Sequence, residues 1–239
     1  MTIVILAGGK SERMGRDKAF LEFGGESFIS IIAKELLEIS DDIIAVVGTK
    51  DPGEFVKEVG DKRVRFVNDA RYMSNPLGGM LTGLEAAIDK YAAVVACDLP
   101  LVRKRLISTL FEAAEGHDGA VPIWNPGVRL SMEPLCAVYN ARSMIKAING
   151  SLARGEAGCK RVVMTLEDVN YVPALELREF DPELGSFRNI NTRTDYAGLL
   201  QELKPPILVE TATRKKEATI ARLGLYNGST ENFHVESQG

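Results

Sequence analysis

Nearly continuous apolar runs of strand length alternate along the chain with segments whose apolar residues recur at helical spacing. The runs at residues 2–7, 43–47 and 92–96 are typical of parallel strands that are covered on both faces. Further strands are predicted at residues 64–67, 120–124 and 135–139. Helices are predicted at residues 27–39, 80–89, 104–115 and 141–148, the second of them after a turn at residues 76–79. This alternation predicts an α/β fold with a mostly parallel sheet.

The character of the sequence changes beyond Leu203. Lys204-Pro205-Pro206 ends any preceding helix, and a polar run closes the chain. We therefore predict one domain over residues 1–203 and a partly flexible C-terminal extension over residues 204–239. A basic cluster at residues 214–216 lies in that extension.

Composition excludes several classes of protein. The 239 residues carry a net charge of −4, which gives no chain-wide affinity for nucleic acid or for an anionic membrane. No apolar stretch approaches the ~20 residues of a membrane helix, and residues 1–6 have the pattern of a first strand rather than of a signal peptide. Three widely spaced cysteines fit neither a disulfide framework nor a zinc site. The sequence predicts a soluble cytoplasmic enzyme or ligand-binding domain.

A stretch rich in glycine and cations follows the first predicted strand. It combines three glycines with four basic residues, namely Gly8, Gly9, Gly15, Lys10, Arg13, Arg16 and Lys18. Glycines let backbone N–H groups approach a ligand, and cations neutralise its oxygens, so this pattern favours polyphosphate binding over a solvated surface turn. The spacing matches neither the Walker A loop nor the dinucleotide-binding glycine motif.

Polar residues also follow the other predicted strands. Asp98 emerges from the run at 92–96, where ligands of parallel sheets bind, and its carboxylate is a candidate ligand for Mg²⁺. Asp69 is a candidate contact for a base or a ribose. Asn189 and Asn191 lie on one face of an extended segment, and Thr192 has the position of a helix N-cap. Standing alone, Asp98 is equally compatible with capping the next turn, and Asp69 is better explained by ordinary turn chemistry.

The sequence offers no parts for general-base hydrolysis or zinc catalysis. The two histidines, His117 and His234, lie outside every cluster, and the G-x-S-x-G nucleophile motif is absent. Phosphate chemistry that uses cations and a metal needs no histidine.

Residues 6–18, Leu-Ala-Gly-Gly-x-Ser-x-Arg-Met-Gly-x-Asp-Lys, resemble the signature of the molybdenum cofactor guanylyltransferases, a family of nucleotidyltransferases. The similarity continues in the family's order over roughly residues 1–203, through 68–69, 75–80, 97–100, 133–135 and 187–192. The resemblance implies a Rossmann-like three-layer α/β/α fold. It also implies a Mg²⁺-dependent reaction in which GMP passes from GTP to the terminal phosphate of a molybdopterin-type cofactor and pyrophosphate is released.

The resemblance also implies roles for individual residues. The nucleotide would be contacted by Leu6, Ala7, Gly8 and Gly9, and its guanosine by Asp69. The triphosphate would be held by Arg13 and Lys18, while Asp98 would bind both the nucleotide and Mg²⁺. The metal and the pterin phosphate would lie near Asn189 and Asn191. Lys18, Arg13 and Asp98 are the residues to which the resemblance assigns catalysis. Gly8, where relatives that use CTP carry alanine, is interpreted as leaving room for a purine.

Other functions stay open at this point. The same motifs are compatible with transfer from CTP to the pterin, with transfer to a sugar phosphate or to phospholactate, or with a nucleotide-binding adaptor that has lost catalysis. Residues 118–139 are expected to face the pterin, but Glu133 places an acidic group beside an anionic substrate. The extension is interpreted first as a solvated appendage, and its basic cluster as an alternative surface for a cofactor-delivery or acceptor molybdoenzyme protein.

Overall fold

The computed structural model describes residues 1–9, 17–69, 75–124 and 131–203. Ten strands have the bounds β1 Thr2–Leu6, β2 Glu22–Phe23, β3 Glu26–Ser27, β4 Asp42–Val46, β5 Val64–Val67, β6 Tyr91–Ala96, β7 Gly119–Trp124, β8 Ser131–Met132, β9 Cys136–Asn140 and β10 Val169–Pro173. Seven α-helices have the bounds α1 Phe28–Leu37, α2 Pro52–Val59, α3 Pro76–Glu85, α4 Lys104–Ala114, α5 Ala141–Ala153, α6 Cys159–Val163 and α7 Arg193–Gln201. These counts refer to the described ranges.

One sheet forms the centre of the compact unit Met1–Leu199. Its strand order is β10-β7-β9-β6-β1-β4-β5, and β8 pairs with β7 at the side of this path. The pairs β1–β4, β1–β6, β4–β5 and β7–β10 are parallel, whereas β9 runs antiparallel to both β6 and β7. The predicted mostly parallel α/β sheet is confirmed, and β9 reverses direction within it.

Helices cover both faces of this sheet, because successive residues of its central strands point to opposite sides. On one face, Ile3 and Ile5 of β1 pack in a core with α1, α2 and α4. On the other face, Val4 packs in a second core with α3, α5 and α6. This arrangement is the expected three-layer α/β/α architecture. It explains why the central strands are apolar at nearly every position.

Three helix boundaries differ clearly from the sequence expectation, and one of them is the end of α3, which lies at Glu85 rather than at the predicted residue 89. The residues predicted as a turn, 76–79, form the first turn of α3, because Asn75 caps the helix through Leu77 N and Pro76 takes the first helical position. Helix α5 continues past the predicted end at residue 148 to Ala153. The elements α2, α6, β8, β10 and the β2–β3 hairpin were not predicted.

Helix α3 lies unusually close to β1. A Cβ atom on Gly83 would lie 2.2 Å from Val4 Cγ1, so only glycine permits this approach. The contact fixes α3 against the strand that leads into the glycine-rich stretch. The predicted extension over 204–239 lies outside the described residues, and the domain boundary at residue 203 stays a prediction.

Candidate active site

Three of the predicted site residues meet at the carboxyl ends of β1 and β6. The Lys18 ammonium lies 2.6 Å from Asn191 Oδ1 and 3.2 Å from Asp98 Oδ2. The Lys18 and Asp98 side chains are 16% and 19% exposed, so water screens their attraction only partly. Asp98 and Asn191 lie 80 and 173 positions from Lys18 along the chain, and both contact its ammonium group.

Asp98 is held in place by the backbone on both sides of it. Cys97 N donates to Leu6 O at 3.1 Å, and Asp98 O accepts from Ile190 N at 2.9 Å. The ends of β1 and β6 and the segment before α7 are therefore joined at this point. Asp98 Oδ1 is buried and, within the part of the chain that the structure describes, has no hydrogen-bond partner.

Asn191 owes its position to a capping box at the start of α7. Asp195 Oδ2 accepts from Thr192 N at 2.7 Å and from Asn191 N at 2.9 Å, while Asp195 N donates to Thr192 Oγ1 at 3.1 Å. The hydrogen bonds from these backbone N–H groups, that of Thr192 first, lower the pKa of Asp195. Thr192 is thus the helix cap that the sequence predicted. Asn189 does not join Lys18 in the same way, since its amide donates locally to Phe187 O at 3.3 Å.

The predicted nucleotide-binding backbone lies beside this cluster. Ala7 uses both of its backbone groups, because its N–H donates to Val46 O at 2.8 Å and its carbonyl accepts from Lys50 Nζ at 2.6 Å. The Leu6 carbonyl also has a partner, Cys97 N. Gly9 differs, since no atom of the described residues lies within 4 Å of the position that its Cβ would take. With respect to that part of the chain, Gly9 faces open space beyond the end of β1.

Gly8 has a structural explanation that differs from the sequence interpretation. A Cβ atom there would lie 2.8 Å from Gly48 N and 2.9 Å from Gly48 Cα, in the loop after β4. Gly48 itself has a φ of +67°, which side chains rarely allow. Because Gly8 has no side chain, its backbone can touch that of Gly48. A methyl group at this position would point at Gly48 and not into room for a purine.

Asp69 lies one strand further along the same edge, after β5. It is 9% exposed; its Oδ1 accepts from Thr82 Oγ1 at 3.0 Å, and its N–H donates to Gly48 O at 2.9 Å. The neighbouring Asn68 side chain donates to Gly48 O and Lys50 O at 2.9 and 2.8 Å. Asp69 thus lies next to the Gly8–Gly48 contact, at the same edge of the sheet. Arg13, which was predicted to hold phosphate, lies outside the described residues.

On the other side of Asp98, an aromatic and acidic pair follows β7 and β8. Trp124 Nε1 donates to Glu133 Oε1 at 2.9 Å, and the Trp124 ring meets Phe187 edge-on at 5.7 Å. Burial raises the pKa of Glu133, partly opposed by the Trp124 hydrogen bond. Sequence reasoning noted Glu133 but gave it no partner. Trp124 was not predicted as a site residue. It lies at the end of a predicted strand, so the rule that ligands bind at the carboxyl ends of strands could have located it as it located Asp98.

Among the described residues, neither a cysteine nor a histidine is placed to take part in catalysis at this site. Burial raises the pKa of Cys97 to about 12, so this thiol beside Asp98 stays protonated. His117 Nδ1 instead lies 2.9 Å from Asp168 Oδ1, just before β7 begins. Across the described ranges, no group of three or more His, Cys, Asp or Glu residues could hold a metal, and no helix is long and apolar enough to cross a membrane.

Comparison with known proteins agrees with this geometry. Residues 3–169 match the model of the MobA-like NTP transferase domain. A probable molybdenum cofactor guanylyltransferase of Methanosarcina mazei is 34% identical over 209 residues, which are 85% of this chain and 92% of that protein. A probable molybdenum cofactor guanylyltransferase of Pelotomaculum thermopropionicum is 37% identical over 195 residues, 81% of this chain and 89% of that protein.

A solved structure has the same fold. Molybdopterin-guanine dinucleotide biosynthesis protein A from Archaeoglobus fulgidus superposes with a TM-score of 0.71 at 24% identity, covering 85% of this chain and 98% of that one. Fold, sequence and the convergence of the motif residues point the same way. The chain belongs to the family of MobA-like NTP transferases, which are nucleotidyltransferases, together with its molybdenum cofactor guanylyltransferase relatives.

Proposed function

We propose that this protein transfers GMP from GTP to the terminal phosphate of a molybdopterin-type cofactor, forming the guanine dinucleotide cofactor and pyrophosphate. The observation that carries the proposal is the cluster of Lys18, Asp98 and Asn191. It lies beside the glycine-rich backbone in a chain whose relatives are named for this reaction.

The site also suits a divalent metal ion, which we propose to be Mg²⁺. The buried and unpartnered Oδ1 of Asp98 needs a positive partner, and the ammonium of Lys18 now bridges Asp98 Oδ2 and Asn191 Oδ1. Carboxylate and amide oxygens are hard ligands of the kind Mg²⁺ takes together with substrate phosphates. Asp98 would hold the ion, with Asn191 beside it. When bound, Mg²⁺ would neutralise charge on the phosphate oxygens.

The reaction needs positioning more than proton transfer. An oxygen of the cofactor's phosphate monoester attacks the α-phosphorus of GTP, and the bond to the β-phosphate breaks with pyrophosphate taking the electron pair. The attacking phosphate has a second pKa of about 6 and is largely ionised at neutral pH. No base is required, in keeping with the position of His117. Lys18 aligns the α-phosphate and offsets the developing charge.

Order along the sheet edge suggests how the two substrates are divided. Gly9, Gly48 and Asp69 follow the strands β1, β4 and β5, and we place GTP there. The strands β7 and β9 lie on the other side of β6, with Trp124 and Glu133, and we place the pterin there. Asp98, at the end of β6, then lies between the two phosphates that react.

Product analysis with matched variants tests the proposal. We expect Lys18→Met and Asp98→Asn each to lower turnover of GTP with the pterin substrate by about 10²- to 10³-fold, because each removes a group that meets developing charge. Lys34→Met is the control, since Lys34 forms an exposed ion pair with Glu26. Wild-type turnover in either site variant, or dinucleotide formed only from CTP, would contradict the proposal.

A further inference from the structure

Lys50 is a largely buried cation that has no role in the reaction proposed above. It belongs to the loop after β4, and its ammonium makes two short contacts, 2.6 Å to Ala7 O and 2.7 Å to Asp17 Oδ2. Its side chain is 23% exposed and that of Asp17 26%. We call these two contacts the Lys50 bridge.

The two partners of Lys50 flank the glycine-rich stretch. Ala7 follows β1 directly and precedes Gly8, and Asp17 immediately precedes Lys18. The Lys50 bridge therefore ties the chain before this stretch to the chain after it through a single cation. Holding Ala7 and Asp17 together pre-organises the described residues on either side of that stretch for binding a ligand.

Asp17 passes this restraint on to Lys18. Its Oδ1 accepts from Ala19 N at 3.1 Å and so caps the short 3₁₀ helix Lys18–Phe20, while its Oδ2 faces Lys50. The carboxylate thus uses one oxygen to orient the helix that carries Lys18 and the other to anchor that helix to β1 and β4. The direction in which Lys18 leaves the backbone depends on both contacts.

Lys50 is itself fixed by the sheet. Asn68 at the end of β5 donates to Gly48 O and Lys50 O, and Gly48 touches Gly8. The Lys50 ammonium also lies over the Phe55 ring, 5.8 Å from the ring centre. The ends of β1, β4 and β5 are in this way joined into one frame at the place where we put GTP.

We propose that Lys50 is a positioning residue for nucleotide transfer. It sets the ends of the glycine-rich stretch and the orientation of Lys18, and it neutralises Asp17 next to the triphosphate. The inference rests on the proposed function only in that a nucleoside triphosphate binds beside Lys18. A second role follows from charge, because Asp17 without Lys50 would repel the phosphates.

The test uses the full-length protein with Lys50→Met, Lys50→Arg, Asp17→Asn and the double variant. We expect Lys50→Met to raise the Kd for GTP about tenfold and to lower kcat about tenfold as well, because Lys18 is misaligned in addition to the lost charge. Lys50→Arg should recover most of both losses, since it keeps the charge and the donors. Lys34→Met, with the same chemical change at an exposed ion pair, should alter neither value.

The double variant separates positioning from simple loss of structure. Asp17→Asn should weaken GTP binding in the wild-type background but strengthen it in the Lys50→Met background, where it removes an unpaired carboxylate. Additive losses in the double variant, or wild-type kinetics in Lys50→Met, would overturn the inference.

Hydrogen exchange provides a readout that does not depend on the reaction. We expect the Ala19 amide, which donates to Asp17, to exchange at least about tenfold faster in Lys50→Met than in the wild type, followed by NMR. If the wild type binds no GTP, the proposed function fails while this comparison still tests Lys50. Unchanged exchange at Ala19 would overturn the inference whatever the nucleotide data show.

Discussion

Gly8→Ala is the substitution whose cost can be worked most directly from the structure. The added Cβ would lie 2.8 Å from Gly48 N and 2.9 Å from Gly48 Cα, whereas ordinary contacts of such atoms begin at 3.4 Å. Both atoms belong to backbone, and Gly48 already has a φ of +67°, so neither chain can yield by a rotamer change. Relief requires the ends of β1 and β4 to move apart by roughly half an ångström, a form of overpacking.

Overpacking of this kind costs about 1 to 3 kcal/mol of the free energy of unfolding. For a chain of 239 residues that lowers the melting temperature by about 2 to 12 °C. Gly9→Ala is the matched control, because none of the described residues lies within 4 Å of its Cβ position and alanine reduces the freedom of the unfolded chain. We expect Gly9→Ala to leave the melting temperature unchanged or to raise it slightly.

The same variant decides what Gly8 does for nucleotide choice. Thermal unfolding and binding of GTP and CTP are measured on the wild type and on Gly8→Ala. Because the methyl group points at Gly48, we expect weaker binding of both nucleotides with their ratio unchanged. A variant as stable as the wild type that now prefers CTP would refute this reasoning and restore the interpretation of Gly8 as room for a purine.

Three further expectations follow from burial and from the chain's organisation. Because burial raises the pKa of Glu133, the folded state binds its proton more tightly than the unfolded state, so stability falls as pH rises above the ordinary glutamate range. Glu133→Gln should lose less stability than the wild type as pH rises through and above the ordinary glutamate range in urea unfolding, and equal losses would contradict this assignment. The three buried thiols should react with a disulfide reagent only on unfolding, since burial raises the pKa of Cys97 to about 12, that of Cys159 to about 11 and that of Cys136 further still; rapid labelling of the native protein would show an open core. Deleting residues 205–239 should leave turnover nearly unchanged, and a large loss would make the extension part of the active unit.

The central strands were predictable because burial on both faces requires a nearly continuous run of apolar residues. Strands β1, β4 and β6 are apolar at almost every position, as expected of strands that are covered on both faces. Strand β10 is half-buried at every position and lies at the sheet edge, so its sequence carries no comparable signal. Helix α2 had signals that went unused, since Asp51 caps it, Pro52 opens it and Gly60 ends it with a φ of +69°.

The candidate site was predictable only in part. The rule that ligands lie beyond the carboxyl ends of parallel strands located Asp98 and Asp69, and the resemblance added Asn191. Lys50 follows β4 and was open to the same rule, but its contacts with Ala7 and Asp17 depend on how three strand ends meet. Such tertiary contacts leave no spacing pattern in the sequence.

The measurement that tests the central claim most directly is equilibrium binding of GTP, CTP, ATP and UTP, with and without Mg²⁺, to the wild type and to Asp98→Ala. We predict selective binding of GTP that Mg²⁺ strengthens and that loses its Mg²⁺ dependence in the variant, because Asp98 Oδ1 is the buried oxygen that lacks a partner among the described residues. Binding without preference for GTP, or an Asp98→Ala protein that still responds fully to Mg²⁺, would contradict the account.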